Sequence, residues 1–92
     1  MYEESLRLFN VFDRVIKGHT QSLSNQGVVA SNPEHILCDT DPDHFTSKVR
    51  VFFYKQGQIV DVFEFHLFMD GRQQATARDI ETWVEEHIPS VG

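Results

Sequence analysis

Six residues able to bind a metal or move a proton crowd into one stretch: His35, Cys38, Asp39, Asp41, Asp43 and His44. Asp39, Asp41 and Asp43 repeat the alternate carboxylates that open an EF-hand calcium loop. The match ends there. The sixth position of such a loop is a glycine and here is His44; the twelfth is a bidentate glutamate and here is Arg50. A solvated acidic loop accounts for the three aspartates. His35, Cys38, Asp39 and His44 are weak candidate zinc ligands, because zinc sites combine paired short spacings. His35 and Cys38 supply one such spacing, no second follows, and on a strand the two point to opposite faces. The plainer reading makes Cys38 a small buried hydrophobe and the histidines surface or capping groups. A thiol–imidazole nucleophile from Cys38 with His44 or His66 has the right residue types, but no spacing selects it. Glycine-rich phosphate loops, dinucleotide fingerprints and nucleophile elbows are absent from the sequence. No metal and no cofactor is expected.

The elements that would position these groups are organised around residues 47–69, which read as two strands joined at Gln56 and Gly57. In the first strand Val49, Val51 and Phe53 face one way and Lys48, Arg50, Phe52 and Tyr54 the other. Gly57 can take the positive φ of a two-residue primed turn. That turn sets Phe53 opposite Val60 and Val51 opposite Val62. Continued without a break, it would bury Glu64 against Val49. The polar residues switch parity between Asp61 and Glu64, so a β-bulge is predicted near Val62 and Phe63. Past it Val49 faces Phe65, and Arg50 faces Glu64 as an opposite-charge pair on the outside. Asp61 and Glu64 then both fall on the solvated side, which argues against a carboxylate pair doing acid–base work.

Around this ribbon, residues 3–17 carry a broad apolar arc at helical spacing, with Gly18 placed to end the helix in a left-handed conformation. Residues 19–27 read as a polar loop. Residues 28–30 and 35–38 are short strand candidates, joined by a turn containing Pro33 into a small hairpin. Pro42 can begin a single helical turn. Asp70 and Gly71 mark a turn, with a short extension over residues 72–74. Thr76 and Asp79 resemble a capping box, and Ile80, Trp83, Val84, His87 and Ile88 form the apolar face of a second helix that Pro89 stops. The predicted fold is a single α+β domain over residues 1–92, ordered α-β-β-β-β-α: a four-stranded antiparallel meander with both terminal helices on one face.

The net charge is −6, and no Lys/Arg cluster is present. A phosphate backbone or an anionic membrane surface needs such a cluster, so neither nucleic acid nor membrane is an expected partner. Cys38 is the single cysteine; with no intrachain disulfide possible and no secretion-signal pattern, a soluble cytoplasmic protein is the expectation.

The hairpin with Asp61, Glu64 and His66, then Asp70 and Gly71, then the run from Ile80 to Glu86, resembles the ending of small orphan α+β proteins carried on bacterial mobile (integron) gene cassettes. The resemblance covers the second half of the chain and rests on layout. It implies a bacterial accessory protein, often oligomeric, and brings no catalytic or binding residue with it.

On the predicted outer face, Phe52, Tyr54, Ile59 and Phe68 accompany His66, Lys48, Arg50 and Glu64. Four large apolar groups on a wet face exceed scattered exposure. The expected function is therefore binding rather than catalysis, as a homodimer through Phe52, Tyr54, Ile59, His66 and Phe68. The alternative is a small-molecule binder or small enzyme with a pocket between helices and sheet, where Asp13 and His87 are the polar candidates.

Overall fold

The computed structural model describes residues 2–38 and 41–88. The described residues begin and end with a helix, and an antiparallel sheet lies between, as the periodicities predict. Helix α1 spans Tyr2–Lys17, and its stripe of Leu8, Phe12 and Ile16 is buried at 2 % exposure or less. It does not end on a left-handed Gly18. Instead Gly18 N bonds the carbonyls of Arg14 and Val15, and a second short helix, α2 (Thr20–Asn25), replaces the expected loop. Leu23 explains it: one and a half turns suffice to bury this side chain, and Gly27, at φ 77°, closes the segment.

Strands β1 (Val28–Ala30) and β2 (Glu34–Cys38) do not form a hairpin with each other. Both run antiparallel to β3 (Thr46–Lys55) along the same edge, Val28 opposite Lys55 and Glu34 opposite Arg50. Ser31 holds the intervening chain on β3, its N–H donating to Phe52 O at 2.8 Å and its Oγ accepting from Phe52 N at 3.0 Å. Pro33, which has no N–H for a ladder, sits in the gap between the two strands. A single 3₁₀ turn (Pro42–His44) precedes β3, with Asp41 capping it. β4 (Gln58–Met69) pairs with the other side of β3 and carries β5 (Arg72–Gln73) at its far end.

Both tight turns are of the primed type: Gln56 and Gly57 lie at φ 53° and 79°, Asp70 and Gly71 at 51° and 74°. Helix α3 (Ala77–His87) starts in a full capping box, Thr76 Oγ1 accepting from Asp79 N at 3.2 Å and Asp79 Oδ2 accepting from Thr76 N at 3.0 Å. The predicted stop at Pro89 lies outside the described residues.

β4 is bent twice. Phe53 faces Asp61 while Tyr54 faces Ile59, so Val60 is an extra residue; Ser47 faces Phe68 while Lys48 faces His66, so Leu67 is another. The first bulge comes earlier than Val62–Phe63. It thus brings Phe63, not Val62, opposite Val51, where its ring stands edge-on to Phe53 at 4.9 Å. The predicted pairs Val49–Phe65 and Arg50–Glu64 are present. Both helices lie against the inner face, where Trp83 packs among Phe12, Phe63 and Phe65 at 5.0–5.9 Å between ring centres. Among the described residues no helix is long and apolar enough to cross a membrane.

Candidate functional site

The outer face of the sheet is the first candidate. Along β3, burial alternates without exception from Thr46 to Tyr54, so Lys48, Arg50, Phe52 and Tyr54 all stand away from the helices. Their partners across the ladders are Ile36, Glu34, Val29, His66, Glu64, Val62 and Ile59. Val29, Ile59 and Val62 are 65 %, 56 % and 43 % exposed, and Phe52 and Tyr54 are half-buried between them. Glu64 lies between two cations, 3.0 Å from Arg50 Nε and 3.4 Å from Lys48 Nζ. The hydrogen bond from Arg50, with Lys48 adding attraction, holds its carboxyl below the ordinary carboxylate range. The Arg50 guanidinium also sits 6.0 Å from the centre of the Phe52 ring.

Of the predicted outer-face residues, Phe52, Tyr54, Ile59 and His66 are there. Phe68 is not. The bulge at Leu67 turns both Leu67 and Phe68 inward, and Phe68 is 4 % exposed against Phe45. Val29 and Val62 take its place in the apolar patch.

The second candidate is a cleft of about 170 Å³ between α2, β1, the first bulge of β4 and the end of α3. Leu23, Val28, Phe53, Phe63 and Ile88 line it, with Val60, Asp61 and His87. Asp61 was expected on the outside; standing opposite Phe53, it belongs to the helix side. His87 stacks on Trp83 at 4.4 Å, and its Nδ1 lies 2.9 Å from the Trp83 carbonyl oxygen. Asp13, the other predicted pocket residue, is instead paired with Lys17 at 3.0 Å.

The metal candidates are not brought together. His35 faces the core and stacks on Phe9 at 4.9 Å, Cys38 is exposed rather than buried, and His44 pairs with Asp41 at 2.8 Å. Asp39 lies outside the described residues, and so does the start of the three-aspartate pattern. Among the described residues no three His, Cys, Asp or Glu side chains converge on a point.

One constellation escaped the reading of the sequence. Ser5 Oγ donates to Ser47 Oγ at 2.6 Å and accepts from His35 Nε2 at 2.8 Å. Both hydroxyls are fully buried, so Ser5 cannot meet a substrate and the trio is a structural tie. Its signal was in the sequence. Ser5 falls on the helical stripe of Leu8, Phe12 and Ile16, and Ser47 shares the inward parity of Val49, Val51 and Phe53. Compared with known protein families, curated proteins and solved structures, the chain matches none.

Proposed function

We propose that the protein acts by binding rather than catalysis, as a homodimer joined through the outer face of its sheet. The observation that carries this is the apolar group of exposed Val29, Ile59 and Val62 around half-buried Phe52 and Tyr54, with the helices on the other side. Charge favours a second copy as the occupant. The chain has a net charge of −6, but this face carries Glu34 and Glu64 against Lys48 and Arg50. Two such faces meet across a twofold axis without accumulating repulsion.

The face is preferred over the free edge of β4 on physical grounds. Asp61 Oδ1 already accepts from Val62 N at 2.8 Å, and bulges interrupt the strand at Val60 and Leu67. These are devices that blunt an edge against strand addition. β3, β4 and the edge row made of β1 and β2 present roughly 500 Å² in projection. A standard interface takes about 800 Å² from each partner, so the dimer is a weak, reversible one. The exposed thiol of Cys38 supports a reducing compartment such as the cytoplasm. A bacterial accessory role, of the kind carried on mobile gene cassettes, belongs to the same proposal.

Light scattering tests it. At tens of micromolar the mass should approach twice the 10.7 kDa of the chain and fall on dilution, and Tyr54→Glu should hold it at the monomer value with unchanged circular dichroism. A mass that stays at one chain whatever the concentration overturns the dimer. The second reading, a small-molecule binder, is favoured by the apolar cleft beside His87.

A further inference from the structure

The cleft at the bulged end of the sheet limits what it can hold, first by size. At about 170 Å³ it is close to cavities that take a single benzene-sized ring. It falls short of the roughly 300 Å³ at which drug-sized and cofactor sites begin. Leu23, Val28, Phe53, Phe63 and Ile88 make its walls apolar, which suits one ring or a short branched chain.

Polarity then fixes the head group. Asp61 and His87 are the lining residues with polar side-chain atoms, and no lysine or arginine is among the described residues that line the cleft. Asp61 Oδ1 is engaged by Val62 N, which leaves Oδ2 to a ligand. The Trp83 carbonyl only accepts, so His87 Nδ1 is protonated, and in that tautomer Nε2 is the acceptor. Stacking on Trp83 holds the imbidazole plane in place. Two acceptors, one of them an anion, beside an apolar floor call for a donor that is a cation.

We propose that this cleft binds a small apolar amine: a primary or secondary ammonium on a ring-sized hydrocarbon body, its nitrogen between Asp61 and His87. The site does not depend on the dimer. It opens on the helix side of the sheet, so the light-scattering result and the ligand result stand or fall separately.

Benzylamine is the probe, with benzyl alcohol and benzoate as matched controls, followed in amide proton–nitrogen correlation spectra of the full chain. A ligand this small binds with a dissociation constant on the order of 1 mM. Benzylamine should shift the amides of Val60, Asp61, Phe63 and His87 saturably; benzyl alcohol should bind about tenfold more weakly and benzoate not at all. Asp61→Asn should bring benzylamine down to the level of benzyl alcohol. Val60→Trp, at an exposed position lining the cleft, should block both benzylamine and benzyl alcohol. Shifts that do not saturate, benzoate binding as well as benzylamine, or no loss in Asp61→Asn would each overturn the proposal.

Discussion

His35 Nε2 donates to Ser5 Oγ at 2.8 Å across thirty positions of sequence, tying the edge strand β2 to the first helix. Partial burial holds the His35 imidazole below the ordinary histidine value of 6.5. The unfolded chain therefore binds the proton more readily than the folded one, so stability rises with pH in the window just below 6.5. Lowering the pH from about 7.5 to about 5 should reduce the urea midpoint, and His35→Gln should remove that part of the slope.

The same tie predicts the cost of losing the middle hydroxyl. Ser5→Ala leaves the fully buried Ser47 and the ring of His35 without their shared partner. A loss of about 1–3 kcal/mol in denaturant unfolding is expected. A change within experimental error would mean that the three groups find other partners.

Glu64 should matter only while it is ionised. Arg50 and Lys48 depress its pKa, so its contribution is present above the unfolded value of 4.5 and is lost as the pH falls through the folded one. Glu64→Gln should lower the thermal midpoint slightly at neutral pH, because the group is exposed. That difference should shrink in high salt and vanish in acid. A salt-independent loss would point to packing instead.

At Val60 the number of residues matters more than the residue. The side chain is 55 % exposed, so Val60→Ala should change stability by less than about 0.5 kcal/mol. Inserting one alanine after Val60, with the bulge still a single residue, would move Glu64 opposite Val49, which is fully buried. The insertion variant should fail to give a cooperative thermal transition. A well-folded insertion variant would show that the bulge can take up a second residue.

Two turn glycines should rank differently. Gly57 and Gly71 both have positive φ, so alanine costs about 1–2 kcal/mol at either. At Gly57 the added methyl meets nothing within 4 Å, whereas at Gly71 it would lie 2.7 Å from the Asp43 carbonyl oxygen. Gly71→Ala should therefore be clearly the more destabilising in parallel urea melts.

Much of the architecture was legible along the chain because it rests on local periodicity. The stripe from Leu8 to Ile16, the alternation from Val49 to Phe53, the Gln56–Gly57 turn and the Thr76–Asp79 cap each need only a few neighbours to be recognised. Even the existence of a bulge follows from the Gln56–Gly57 turn, which in an unbroken ladder would bury Glu64 against Val49. Its position does not. Val60, Val62 and Phe63 are all apolar, and the choice among them depends on which side chain fills the space beside Phe53, Trp83 and the helices. The second bulge, at Leu67, left no mark for the same reason, since Leu67 and Phe68 are equally acceptable inside. The second bulge took Phe68 out of the outer patch, and the first put Asp61 into the same cleft lining as His87. The chain by itself determined which surfaces are apolar and where it turns. Only tertiary packing decided how many residues each side of the ladder uses, and hence which side chains meet in the patch and the cleft.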